Sequence, residues 1–330
     1  AQVASQATRP AMLAARASLA QVGLETRPTL HGQGVRRSDS LCWHDAKRWS
    51  RSTALLVVGP TLLRLCGCPG KRQRTGTAVV KVLSDDRAKA ELEAFLQRQR
   101  GDPPQVDPLS GQLTVYNDNP ADLIFIAVFR QVMSQVAGWQ SSLPYWGPKA
   151  YDGMLEVAHA MQWGKSLPEA EQESLAVIKG LIPEEGRQRF RTLLGVDKFS
   201  TELNAWITAV FFPFMVGKCD IETRDESEVA AIPEGEEWKC AVKIEKCRWL
   251  ERSGCVGMCV GLCKKPMENM FDEVLGMPLS MEPNMEDLSC TMVFGKKAKS
   301  WPEDELREQP CFSTCATAAK SGACPKLRPD

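Results

Sequence analysis

Apolar positions recur with helical spacing through the middle of this chain, and the period shortens only towards its end. Residues 84–100 form a charged helical pattern with Ala88, Leu92, Phe95 and Leu96 on one side, closed by Gly101-Asp-Pro-Pro104. A turn-rich bridge ending in Asn117-Asp-Asn-Pro120 leads to an apolar run from Ala121 to Phe129. That run continues through Val132, Val136 and Trp139 with the helical period. The folded domain is expected to start here, so a chain beginning near Ala121 is expected to keep its fold. Further helices are expected at 151–163, 168–181 and 186–194. Pro168, with Glu169, Glu171 and Glu173 behind it, suits a helix N-terminus, where unpaired amides favour negative charge. The stretch 201–216, broken by Pro213, is the most aromatic of the helical patterns.

After Gly217 the alternation becomes two. Residues 239–246 read as a strand with Cys240, Val242 and Ile244 on the apolar face and Lys243 and Glu245 on the other, and 289–294 read as a second strand. Residues 267–275 read as a helix stopped by Gly276-Met-Pro278. The expected fold is α+β, mainly α: a helical domain with a small sheet and a Cys-rich C-terminal part.

Composition changes this picture at the N-terminus. Residues 1–83 hold only Glu25, Asp39 and Asp45 as acids among many arginines, serines and alanines, which is the composition of an organelle transit peptide and not of a core. The apolar run at 53–63 falls short of the roughly 20 residues a membrane helix needs. Cys66 and Cys68 lie in this leader and are given no role. The organisation is therefore 1–83 leader, 84–120 charged helix and linker, 121–218 helical part, 219–317 Cys-rich part of the same domain, and 318–330 a frayed tail. A formal net charge of zero gives no sign of nucleic acid as a partner.

The candidate chemistry is sulfur. Seven of the 13 cysteines, Cys247, Cys255, Cys259, Cys263, Cys290, Cys311 and Cys315, fall in one stretch of the C-terminal part. Cys255, Cys259 and Cys263 recur every fourth residue and would form a stripe on one helix face. On an unbroken helix the outer two stand about 12 Å apart along the axis, too far for one ion held by bonds of about 2.3 Å. Either the helix is interrupted at Gly254, Gly257 or Gly261, or one pair, Cys255 with Cys259 or Cys259 with Cys263, shares a metal with cysteines from elsewhere. The second is the favoured expectation. Ser253, Gly257 and Gly261 form a parallel small-residue stripe, so close helix packing accounts for the same spacing, and disulfides are a third reading.

Only three histidines exist, His31, His44 and His159, so a Ser-His-Asp, Cys-His or two-His-one-carboxylate centre lacks material. No Gly-rich nucleotide loop follows a strand. No catalytic acid, base or nucleophile is assigned. Glu286 and Asp287 could complete a metal shell, or serve only as turn caps.

The motifs Ile244-Glu-Lys-Cys247-Arg-Trp-Leu-Glu-Arg-Ser-Gly-Cys255-Val-Gly-Met-Cys259, Pro278-Leu-Ser-Met-Glu-Pro-Asn284-Met-Glu-Asp287-Leu-Ser-Cys290 and Gln309-Pro-Cys311-Phe312 closely resemble the plastid β-carotene isomerase family of the strigolactone pathway. The likeness extends upstream through Tyr151-Asp-Gly153, Phe211-Phe212 and Val216-Gly217, over roughly 121–317. It implies a chloroplast, iron-containing isomerase that interconverts all-trans and 9-cis β-carotene, with iron either mononuclear or in an iron-sulfur cluster. Where the family usually carries Asn and a Pro-Thr-Gln run, this chain has Gly261 and Pro266-Met-Glu268, and the acidic segment 218–237 with Cys219 also departs from it.

A polyene substrate needs an apolar slot, and Trp206, Phe211, Phe212, Phe214 and Met215 are the candidates to line it; the alternative is that they are core. Peripheral contact with a thylakoid or envelope membrane is a further expectation. The competing function is a non-catalytic iron-sulfur or zinc module, structural or electron-carrying.

Overall fold

The computed structural model describes residues 85–101, 112–315 and 322–328. The expectations for the leader at 1–83 lie outside the described residues.

The expected helices form. They are α1 (Asp86–Gly101), α2 (Pro120–Ala137), α3 (Ala150–Gln162), α4 (Leu167–Leu181), α5 (Glu184–Leu193), α6 (Lys198–Phe211) and the single turn α7 (Pro213–Val216). Local chemistry sets their ends. Asn119 caps α2 by accepting from the amides of Ala121 and Asp122, while Asp122 accepts the Asn119 amide in return. Ser166 and Glu169 close the same reciprocal box ahead of Pro168 in α4. Pro213 has no amide to donate, so the apolar helix stops at Phe211 and restarts as α7.

The sheet has four antiparallel strands in the order β1-β2-β4-β3: β1 (Cys219–Arg224), β2 (Trp238–Ile244), β3 (Leu279–Pro283) and β4 (Cys290–Phe294). β2 and β4 are the strands expected from alternation. β1 lies in the acidic segment, where charged side chains on an edge strand hide the pattern. α6 packs on the sheet, with Val229, Ile232, Trp238, Cys240, Ala241 and Val293 forming a small second core.

Two boundaries move. Helix α1, read as lying ahead of the domain, buries Leu92, Phe95 and Leu96 in the main core, and Phe95 packs on His159 and Trp163. The bridge after it is also built in. Glu251 accepts from the Thr114 amide at 2.8 Å, from its hydroxyl at 2.7 Å and from the Tyr116 hydroxyl at 2.8 Å. Asp118 accepts from both terminal nitrogens of Arg248, at 2.5 and 2.8 Å. Hydrophobic periodicity could not show this, because the anchoring groups are polar. The tail read as frayed is likewise packed in its described part, where Cys324 and Leu327 are each 2 % exposed.

Gly153 in α3 is there because a Cβ would land on the guanidinium of Arg130. Arg130 is buried and donates to Gln140 Oε1 and to the carbonyls of Ser141, Leu143 and Pro144, which fixes the loop between α2 and α3. His159 sits beneath α1, and burial pushes its pKa down to about 4. An unfolded His takes its proton near 6.5, so its contribution to stability is complete above that pH and is lost as pH falls through about 4. The loss is up to about 3 kcal/mol, reduced by whatever water reaches the half-buried ring. His159→Gln should therefore flatten the acid limb of a urea-midpoint profile between those pH values; an unchanged limb would show that other groups govern it.

Candidate functional site

The cysteine stripe does not form one face of one helix. α8 (Arg248–Ser253) ends at Gly254 in the left-handed region (φ 52°), and Cys255 is extended (φ −133°) as the residue preceding the next helix. From there a 20-residue rod runs from Val256 to Leu275 in four pieces: α9 (Val256–Cys259), a π-helical turn (Val260–Lys264), α10 (Lys265–Asn269) and a second π turn (Met270–Leu275). Of the two routes open to the sequence, the interruption at Gly254 is present, and at Gly261 the rod widens into a π turn and does not break. Gly261 faces Leu167, whose Cδ1 would lie 3.1 Å from an added Cβ, so a larger residue here would require Leu167 to give way.

This break sorts the cysteines into two groups. Cys259 on α9, Cys263 in the first π turn, Cys247 after β2 and Cys290 at the head of β4 line one small cavity of about 10 Å³, with Val216, Ile244, Trp249, Leu250, Met281 and Pro283. Each of the six thiol pairs in this tetrad interacts electrostatically. Burial, reinforced by those neighbours, holds Cys259 and Cys290 well above the usual thiol range and Cys263 at about 12, while burial holds Cys247 at about 11. These thiols are neutral in the cavity as it stands, and a bound cation would reverse that by stabilising the thiolate form.

Cys255, Cys311, Cys315 and Cys324 gather on the other side of α9. Cys255 accepts from Gln162 Nε2 at 3.7 Å and interacts with Cys315 and Cys324, and the thiols of Cys311 and Cys324 are in hydrogen-bonding contact. Of the seven proposed ligands, then, the structure brings four together and places Cys255, Cys311 and Cys315 elsewhere. Among the described residues, no three Cys, His, Asp or Glu side chains form a group that could hold a metal ion as they stand. In chemical kind, four soft sulfurs facing one apolar cavity suit iron or an iron-sulfur unit.

The tetrad is held by backbone detail the spacing did not reveal. The Cys247 amide donates to the carbonyl of Leu288 at 2.7 Å. Leu288 is the one non-glycine with positive φ (62°) among the described residues, a conformation that costs about 1 kcal/mol or more. Asn284, Asp287 and Ser289 fix the turn: Asn284 and Asp287 accept from the amides of Glu286 and Ser289. Asp287 is thus a turn cap. Lys264 also lines the cavity, but its ammonium is engaged by Glu268 (2.7 Å), Asp304 (3.0 Å) and the Met281 carbonyl (2.8 Å).

The aromatic candidates lie on or between α6 and α7, and α7 reaches this cavity through Val216. Phe214 is buried, and Phe212 and Met215 are half-buried against the core. Trp206 and Phe211 are 50 % and 47 % exposed, which corrects the core alternative for both. Phe125 of α2 stacks on Phe214 at 5.4 Å, and Ile124, Phe125, Val128 and Val210 are also exposed on α2 and α6. The sequence reading missed the α2 share because Ile124 and Val128 fit a helical core period equally well. A larger cavity of about 290 Å³ beneath α1 mixes Leu96, Leu113, Leu143 and Leu155 with the charged Arg100, Lys149, Asp152, Glu156 and Arg252. No described helix is long and apolar enough to cross a membrane.

A helical body with a thiol-lined cavity on a small antiparallel sheet is thus the setting in which the comparisons fall. Residues 214–303 match the family described as beta-carotene isomerase D27-like, C-terminal. The chain is 29 % identical over 201 residues to "Beta-carotene isomerase D27, chloroplastic" of Medicago truncatula, covering 61 % of this chain and 75 % of that protein. It is 33 % identical over 172 residues to the protein of the same name from Arabidopsis thaliana, covering 52 % of this chain and 62 % of that one. No solved structure matches significantly. The likeness to D27-like proteins thus rests on the C-terminal part of the chain, residues 214–303, and on these two relatives.

Proposed function

We propose that this protein is a plastid carotenoid isomerase that interconverts all-trans and 9-cis β-carotene or a close relative, in metabolism of the strigolactone or apocarotenoid type. Its similarity to two chloroplastic β-carotene isomerases supports this reading. The single structural observation that carries it is the tetrad Cys247, Cys259, Cys263 and Cys290, inside the matched region and lining one apolar cavity.

Rotation about one double bond needs neither hydrolysis nor net redox change, only transient loss of double-bond character and a shape that favours one isomer. The tetrad would hold the iron, which when bound would supply reversible electron transfer or Lewis acidity to the polyene. The chain's own residues do the rest. Phe125, Trp206, Phe211, Phe212 and Met215 offer a hydrocarbon a surface of rings and thioether at the protein boundary, where a membrane-dissolved substrate would be met. Val216 lines the tetrad cavity while Phe214, on the same turn, stacks on Phe125 and Phe212, so α7 links the two and is the element that would give way for a polyene to approach the sulfurs.

The experiment is iron content and isomer separation on single Cys→Ser variants. Loss of iron and of isomerisation is expected at Cys259, with large losses at Cys247, Cys263 and Cys290, while Cys255→Ser and Cys315→Ser keep both. Iron retained in Cys259→Ser would overturn the assignment. The second reading, a non-catalytic iron-sulfur or zinc module, is favoured by the 10 Å³ cavity, which has no room for a substrate. Iron without isomerisation of all-trans or 9-cis β-carotene would select it.

A further inference from the structure

The second thiol group, outside the tetrad, is left over by the isomerase reading. Cys311 is half-exposed and its thiol is in hydrogen-bonding contact with that of the buried Cys324. The backbones beside them are already tied, since the Cys324 amide donates to the Gln309 carbonyl at 2.8 Å. Cys324 starts a short segment that ends in Pro325–Leu327, a 3₁₀ turn packed under α9. Lys326 Nζ donates to the carbonyls of Gln162 at 2.8 Å and Lys165 at 3.3 Å, and the Arg328 carbonyl accepts from the Leu167 amide at 3.3 Å. A Cβ on Gly257 would strike Lys326, so the glycine of Cys255-Val-Gly-Met-Cys259 makes room for this segment. The segment therefore closes over Cys255 and the start of the rod that carries Cys259 and Cys263.

We propose that Cys311 and Cys324 are a dithiol–disulfide centre whose oxidation fastens the C-terminal segment onto α9. The two thiols lie on different chain segments and in hydrogen-bonding contact. Half-exposed Cys311 is the attacking thiol: its thiolate displaces one sulfur of an external disulfide, of the glutathione or thioredoxin class, giving a mixed disulfide and releasing the first thiol. Cys324 then attacks Cys311 Sγ and expels the second thiol. The sum is two cysteine thiols plus one disulfide giving one intramolecular disulfide plus two thiols, so protons and electrons balance. Burial pushes the Cys324 thiol up to about 12, which suits a resolving thiol protected by its partner until the mixed disulfide forms, and the Lys326 ammonium interacts with both Cys324 and Cys255. The bond would close a loop across residues 312–323 and hold the segment covalently where it now rests on hydrogen bonds and Leu327. This centre does not depend on the isomerase reading, and its test needs no carotenoid.

The experiment uses the full chain equilibrated across ratios of reduced to oxidised glutathione, alkylated, digested and read by mass spectrometry. The expected result is a cross-link between the peptides of Cys311 and Cys324 with loss of two hydrogens, reversible by reductant. It should disappear in Cys311→Ser and in Cys324→Ser and persist in Cys259→Ser. Alkylation of Cys255 should slow on the order of tenfold or more in the oxidised form, because the tethered segment opens less often. Three results would each overturn the proposal: both thiols alkylated at every ratio, a glutathione adduct on Cys311 with Cys324 still reactive, or a cross-link of either to Cys315 or Cys255. Shielding of all four thiols by added zinc or iron, released by a chelator, would show a metal cage instead and would likewise overturn it.

Discussion

A chain truncated to begin at Ala121 is expected not to fold, whereas one beginning at Asp85 should keep the helix content and thermal transition of the full protein. The shorter chain loses Leu92, 0 % exposed, together with Phe95 and Leu96. Removal of a buried side chain of this size costs about 2–5 kcal/mol each. It also loses Thr114 and Tyr116, which supply three hydrogen bonds to the buried carboxylate of Glu251, and Asp118, the partner of buried Arg248. Leaving a buried charge without its partner costs about 3–5 kcal/mol. Even with generous allowance for non-additivity, these losses exceed the stability of a typical domain, about 5–15 kcal/mol. Circular dichroism melts of the two truncated chains decide it. A transition in the Ala121 chain within a few degrees of the full protein would mean that α1 and the bridge merely lie on a core that stands without them.

The second large effect is expected at Glu268. Its carboxylate pairs with Lys264 at 2.7 Å and accepts the Met281 amide at 2.9 Å, so one side chain joins the rod to β3. Glu268→Ala leaves the Lys264 ammonium beside the tetrad cavity with Asp304 and one carbonyl, and leaves the Met281 amide without its acceptor. The expected cost is about 3–5 kcal/mol, read as a lower urea midpoint at unchanged slope. Glu268→Gln keeps an acceptor for Met281 and loses only the charge, so it should cost less than half as much. Equal effects of the two substitutions would place the role of Glu268 in its charge and not in its bridge to β3.

Helices were legible because each carries a full apolar period and its own stop signals: Pro168 and Glu169 open α4, and Pro213 splits α6 from α7. Strands β2 and β4 were legible because they alternate. β1 was not, since Asp220, Glu222 and Arg224 look like loop, and β3 was not, since Pro278, Pro283 and Asn284 look like turn. At the site, cysteine content pointed to the stretch that holds the tetrad, and the 12 Å spacing argument asked for sulfurs from outside the stripe. The separation of Cys255 from Cys259 depends on Gly254 adopting a left-handed conformation, and the entry of Cys247 and Cys290 depends on β2 and β4 being neighbours. Both are tertiary facts. Leu288 gave no warning at all, because nothing about leucine signals a positive φ.

The rod from Val256 to Leu275 behaves as a screw whose phase has been adjusted twice. A π turn closes i to i+5, as when the Lys265 amide donates to the Val260 carbonyl, and so contains one residue more than the α-helical turn it replaces. Each insertion sets back by about 100° the heading of every side chain that follows. The first sets where Lys264 and Glu268 point relative to Cys259, and the second sets how Gly276 delivers the chain into β3. A substitution along the rod acts where it is made, but a change in its length acts on every residue after it. Deleting a single residue between Val260 and Lys264 would restore ideal helix geometry while turning the Lys264–Glu268 pair away from β3 and Asp304. Regularity, the usual route to a stronger helix, would here dismantle the site.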